Sequence, residues 1–243
     1  MKSNSIIITI IAAVAIIVVA CIFGNAYRFK YNANNTINVT GNAKKDFESD
    51  IVKWTATYSQ KSMSLSEASE ELKSDRALVK RFLIEQGIAE SEIVFNAINI
   101  SKDFSYHTDA NGNSFNTFSG YSLTQTISVE SKDLVKVDNA SRAISALISQ
   151  GVELSSNTPS YYYSKLEDLK LALIAEASKN AKARAENIAK ESGSTLGDIK
   201  KADLGIFQIT GQNDNEEYSY GGVFNTTSRF KTANITIKAS YGL

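Results

Sequence analysis

The chain has 243 residues, with 26 basic and 26 acidic side chains and no long block of either sign. That balance excludes the concentrated basic surface a nucleic-acid partner needs. One cysteine, Cys21, and one histidine, His107, exclude disulfides and paired-histidine metal motifs, so any folded domain stands on its core alone.

Residues 1–5 read as a short tail. Residues 6–24, Ile6 through Gly24, are apolar or small except for Thr9. As a helix this run reaches about 28 Å, close to the hydrocarbon thickness of a bilayer. It is longer than a signal-peptide core and lacks an A-x-A cleavage box, which favours a retained transmembrane anchor. Val18-Val19-Ala20-Cys21 also fits a lipoprotein signal, with Cys21 as the lipidated residue, and ordinary cleavage is a third fate. All three put the rest of the chain on one side of the membrane. An N-terminal apolar segment before one large domain usually exports that domain, so the C-terminal part is expected outside the cytoplasm.

Residues 25–36 form a polar tether, rich in Asn from Tyr31 to Thr36, and residues 37–243 suffice for one domain. Ile37–Ala43 reads as a short strand. Glu48–Ser62 is a second, in which Val52, Trp54, Ala56 and Tyr58 alternate with polar residues. Ser64 and Glu67 then make a capping box for a helix with Leu65, Ala68, Leu72, Val79 and Phe82 on one stripe, ended by Gly87. Glu92–Asp103 is a strand whose alternation slips near Ala97, which predicts a bulge or bend. Ser105–Asn116 is a polar loop closing a long hairpin with Phe118–Ser131.

Lys132–Gln150 is the second helix, with Leu134, Val137, Ile144 and Ile148 inward and Gly151 at its end. Val152–Ser164 is extended and finishes in Tyr161-Tyr162-Tyr163. The third helix, Lys165–Ser192, starts at a Ser164/Glu167 capping box and stops at Gly193. Its stripe runs Leu166, Leu169 and Leu173 into Ala177, Ala181, Ala185 and Ala189. Alanines four apart allow close approach to a sheet or to a partner helix. A final hairpin runs out over Ile199–Gly211 and back over Phe224–Tyr241, with Ile235, Ile237, Ala239 and Tyr241 inward. The order ββαββαβαββ implies an α+β fold, mainly antiparallel sheet from hairpins with three helices packed on it, preceded by one transmembrane helix.

Catalytic groups are few. His107 sits in the polar loop near Asp103 and Asp109, and reads as a solvated histidine because a metal site needs several converging ligands. Glu70-Glu71 and Glu216-Glu217 read as solvated faces, and Gly221-Gly222 as a turn. No catalytic, cofactor or metal residue is assigned, and no enzyme is expected. The tyrosine run reads as core or sheet face, as an oligomer interface or as a small-ligand site; the interface candidates are Tyr161, Tyr162, Tyr163 and the Ala177, Ala181, Ala185 and Ala189 face.

The segment Ala177-Ser-Lys-Asn-Ala-Lys-Ala-Arg-Ala-Glu-Asn-Ile-Ala189, followed by Gly193 and Leu196-Gly-Asp-Ile199, resembles the signature of the SIMPL-domain family. Val39-Thr-Gly-Asn-Ala43 resembles its opening strand, Gly120-Tyr121 its central strand start, and Gly151-Val152 the pair after its second helix. The resemblance covers residues 37–243. It implies an exported bacterial protein, periplasmic or surface-associated. Some relatives are linked with oxidative-stress defence, some are outer-membrane immunogens, and at least one forms a large ring- or channel-like homo-oligomer. The family has no established catalytic residues to carry over. The expected function is therefore a non-enzymatic, membrane-anchored envelope protein that forms a homo-oligomer. The alternative is an extracytoplasmic binding module for a small ligand or another envelope protein, sought at the tyrosine run and the His107 loop.

Overall fold

The structure is a computed structural model that describes residues 13–27, 35–108, 112–215 and 217–243. Residues 13–27 form helix α1, exposed throughout and apolar up to Gly24, with Asn25 and Tyr27 at its end. Among the described residues no helix is long and apolar enough to cross a membrane. Residues 6–12 of the expected anchor, most of the tether, Asp109 and Glu216 lie outside the described residues.

The strands are β1 (Thr36–Glu48), β2 (Ile51–Ser62), β3 (Ile93–Phe95), β4 (Asn99–Thr108), β5 (Ser114–Ser131), β6 (Glu153–Ser156), β7 (Ser160–Tyr162), β8 (Ile199–Leu204), β9 (Gln208–Gly211), β10 (Val223–Phe224) and β11 (Phe230–Gly242). Among them run α2 (Leu65–Glu85), α3 (Leu134–Ala143) and α4 (Leu166–Glu191). One sheet is ordered β1-β11-β9-β10, with β8 also on β11; the other is ordered β3-β5-β2-β6, with β4 also on β5 and β7 on β2. All pairings are antiparallel except β9 with β10, so the α+β expectation holds with mixed rather than purely antiparallel sheets.

Several expected boundaries move for identifiable reasons. β1 runs on to Glu48 because Lys44–Glu48 keep register with Phe230–Asn234 although their side chains are mostly exposed. β2 starts at Ile51 because the chain breaks at Ser49–Asp50, where the Asp50 carboxylate accepts the Ser164 N–H at 2.7 Å and the Ser164 hydroxyl. That bond also dissolves the expected capping box on α4, whose N-cap is Lys165 without a side-chain cap. At α2, Ser64 Oγ accepts the Glu67 N–H, but Glu67 takes the Ser62 hydroxyl rather than the Ser64 N–H; Leu65 is exposed. After α3 the chain tightens to a 3₁₀ turn over Ile144–Gln150. Three residues per turn bring Leu147 under Ile144, so Leu147 is buried and Ile148 exposed. The slip near Ala97 is real: β3 and β4 are separate, and the Asn96 carbonyl between them accepts from Gln125 Nε2 at 2.7 Å. The polar loop shrinks, since β4 extends to Thr108 and β5 begins at Ser114, and the final hairpin divides into β8, β9, β10 and β11.

The larger core lies between α2, α3 and the β2/β5 sheet, with Trp54, Tyr58, Leu72, Leu83, Leu123 and Ile127 fully buried. Each large apolar side chain there contributes about 2 kcal/mol relative to exposure. Its polar atoms are paired: Tyr58 O–H donates to Gln125 Oε1, and Trp54 Nε1 donates to Ser156 Oγ at 3.1 Å. Asp75, buried on α2, accepts from Gln60 Nε2 at 2.7 Å. Burial outweighs that bond and raises its carboxyl above the ordinary value.

The second core lies under α4, which covers β1 and β11. Leu169 and Leu173 pack with Ala43, Ile235 and Ile237; Ala181 and Ala185 pack with Val39, Ala239 and Tyr241. Gly41 makes this approach possible. A Cβ there would stand 2.1 Å from the Ala177 carbonyl oxygen and 2.6 Å from the Ala181 nitrogen. The same helix covers the middle of the outer edge of β1: Asn180 Oδ1 accepts the Asn42 N–H at 3.1 Å, and Arg184 Nη1 donates to the Thr40 carbonyl at 2.9 Å.

Gly41→Ala forces α4 off β1 and is expected to cost about 3 kcal/mol in urea denaturation; wild-type stability in that variant contradicts the contact. Asp75 binds its proton more tightly folded than unfolded, so its contribution is full below the ordinary carboxylate range and is lost as pH rises through its raised folded value. Asp75→Asn is therefore expected to melt higher at about pH 7 and to flatten the decline from about pH 4 upward. A variant that melts lower at neutral pH contradicts this.

Candidate interaction surface

β2 ends at Ser62, opposite Tyr121, but β5 continues back to Ser114 with only β4 beside it. The two strands leave the sheet as a ribbon. Gly120 stands at the exit with φ +132°, and a Cβ there would meet the Ser62 carbonyl oxygen at 2.8 Å. The β4/β5 register skips a residue between Asp103 and Phe104 at the same point. Lys61 Nζ braces the base of the ribbon on Asp103 Oδ2 at 2.6 Å.

An aromatic ladder runs outward from this bulge. Tyr121 packs on the larger core; Phe118 contacts it edge-on at 5.2 Å, and Phe104 contacts Phe118 at 5.9 Å. Beyond them Phe104 is 58% exposed and Tyr106 70%. On the other face His107 stacks on exposed Phe115 at 5.7 Å. A two-stranded ribbon is marginal in water, and a run of exposed aromatic side chains is the composition of a protein interface. The sequence reading lost this surface inside a polar loop. The signal was Phe104 and Tyr106 alternating toward a turn, with Phe115 returning.

The other candidate residues are dispersed. His107 lies on a strand rather than in a loop, and Asp103 is engaged by Lys61. Among the described residues no three His, Cys, Asp or Glu side chains converge. Ala177, Ala181, Ala185 and Ala189 are all buried within the chain, the first three against its own β1 and β11, so the expected alanine interface is an internal contact. The tyrosine run divides its duties, all three side chains being half-buried. Tyr161 packs on the larger core and donates to Asp138 Oδ1 at 2.6 Å; burial, then that carboxylate, push its hydroxyl up to about 12. Lys53 Nζ lies 5.6 Å from the Tyr162 ring, and Tyr163 contacts Phe47 at 4.9 Å in the second core. Cys21 is exposed on α1. Glu70 pairs with Lys73 at 2.9 Å, and Glu71 and Glu217 are exposed.

Two of the surface recesses are lined mainly by polar and charged residues. One, of about 630 Å³, is lined by Glu48, Ser49, Asp50, Lys132, Asp133 and Arg229 among others. Its charges serve the fold. Arg229 Nε and Nη2 grip Glu48 Oε1 at 2.7 and 2.6 Å, and Asp133 caps α3 through the Lys136 N–H at 3.1 Å. Burial works against the charge on Asp50, but the two bonds from Ser164 prevail and hold its carboxyl below the ordinary value. The other, of about 350 Å³, lies beside Tyr161 and is lined by Asp138, Arg142, Ser156 and Asn157 among others. Neither is the apolar pocket expected of a small-ligand site.

Tyr161→Phe removes the bond to Asp138 and is expected to lower stability by about 1 kcal/mol without changing the denaturant slope. Unchanged stability in urea denaturation contradicts a structural role for that hydroxyl.

A family model named SIMPL, described as a protein of unknown function (DUF541), matches residues 37–240, from β1 nearly to the end of β11. No curated protein matches the chain.

Proposed function

The chain belongs to the SIMPL family, and from that premise we propose that it is a non-enzymatic cell-envelope protein, anchored in a membrane by its N-terminal segment, whose domain self-associates. The aromatic ribbon carries this reading. Phe104, Tyr106 and Phe115 are exposed on a two-stranded arm that, among the described residues, pairs only β4 with β5 beyond Ser62. A second copy supplies the missing surface. The anchor is supported by the apolar run at residues 6–24 and by α1, whose Val14, Ile16, Ile17, Ile22 and Phe23 face solvent. That exposure is costly in water and favourable in lipid. On this reading the domain lies in the periplasm or on the cell surface. Its only thiol, Cys21, is in α1, so a stress-related role works through assembly rather than through cysteine chemistry in the domain.

Light scattering on the full chain in detergent micelles, with the micelle mass subtracted, is expected to give a species larger than a monomer. Replacing Phe104, Tyr106 and Phe115 together by Ser is expected to shrink that species while the far-ultraviolet circular dichroism of the folded domain stays unchanged, since all three side chains are exposed. A strict monomer at every concentration contradicts self-association.

A further inference from the structure

We propose that β8 forms an isologous contact with β8 of a second copy, joining two β1-β11 sheets edge to edge. The inference rests on the self-association reading and names one surface that serves it, separate from the ribbon.

β8 is exposed at every residue and pairs only with β11. On the opposite edge of this sheet Asn180 and Arg184 occupy two outward backbone groups of β1, the Asn42 N–H and the Thr40 carbonyl. Among the described residues no side chain does the same for β8. The Gly205 N–H donates to the Thr236 carbonyl at 2.8 Å. By antiparallel alternation Asp203 and Lys201 also turn their backbone groups toward β11, which leaves those of Ala202 and Leu204 directed at the open edge. A strand with free outward groups is a template for another strand.

Charge selects both the occupant and the register. Lys201 and Asp203 lie on one face, with Nζ and Oδ2 2.7 Å apart. A two-fold axis through Ala202 sets Lys201 of each copy opposite Asp203 of the other, in non-hydrogen-bonded pairs where side chains approach most closely. Ala202 then faces its own counterpart with both backbone bonds made. Sliding the pairing by one step either way places the axis on Lys201 or on Asp203 and sets like charges together. The edge is therefore complementary to itself in one register. On the opposite face Leu204 and Ile199, 55% and 53% exposed, continue the row of Ile237 and Tyr241, which α4 covers on the neighbouring strands but not here. A second copy brings two such rows together and gives Leu204 the stem of the other copy's Lys200.

The test uses two full-length variants in detergent micelles, Lys201→Asp and Asp203→Lys, distinguished by tags. Each alone places only like charges across the two-fold axis and is expected to weaken the dimer about tenfold. An equal mixture restores attraction at both pairs, but only between unlike chains. Sedimentation equilibrium is therefore expected to recover wild-type affinity, with both tags in one species. An effect confined to the intrachain Lys201–Asp203 ion pair gives no recovery on mixing and overturns the proposal. Wild-type association of each variant alone also overturns it while leaving self-association standing. A wild-type chain that is monomeric throughout removes the broader reading along with this one.

Discussion

α4 lies on β1 at backbone-contact distance, and the rest of the domain is arranged around that approach. Any side chain at Gly41 collides with the Ala177 carbonyl and with Ala181, and at the closest approach the inner face of α4 carries alanine, while Leu169 and Leu173 fill the wider end of the contact. Once the helix is seated, Asn180 and Arg184 reach the outward amide and carbonyl of Asn42 and Thr40. One contact thus fills the second core and also occupies two outward backbone groups in the middle of the edge strand β1. The two stretches of sequence that most resemble the SIMPL family, the Val39–Ala43 strand and the Ala177–Ala189 helix, are the two sides of this contact. They hold this part of the fold together.

That division of labour leaves the outer surfaces for function. The alanine face is consumed internally, and the tyrosine run secures Tyr161 and Tyr163 to separate cores. The charges of the Glu48–Arg229 recess are tied up in caps and ion pairs. Among the described residues, the exposed aromatic side chains of the ribbon and the outer edge of β8 are the surfaces left facing solvent. The ribbon presents aromatic area at low entropic cost; the edge presents backbone groups with a self-complementary charge pattern. They differ in chemistry and position, so a chain using both can build assemblies larger than a dimer.

Much of the fold was legible because apolar spacing dictates it. Trp54, Ala56 and Tyr58 alternate on β2, and Leu169 through Ala189 keep a helical stripe. The capping residues misled because a hydroxyl has several partners within reach. Ser164 takes a carboxylate more than a hundred residues away instead of capping the helix beside it. Ile148 and Leu147 exchanged places because no local signal announces a 3₁₀ turn. The interaction surface was the least legible part. Whether an alternating strand such as Ile199–Leu204 has a helix above it depends on where α4 lies, and that is decided by Gly41 far away in sequence. Gly120-Tyr121 was noticed as text, but its role as the hinge of a bulge needed the β4 register.

The most direct measurement is amide hydrogen exchange of the full chain in micelles, followed residue by residue over a range of protein concentrations. The account predicts that Asn42, although on an outer strand edge, is protected at every concentration through Asn180, while Ala202 and Leu204 exchange freely when dilute and slow as copies associate. Fast exchange at Asn42, or exchange at Ala202 and Leu204 that ignores concentration in a chain shown to associate, would contradict it.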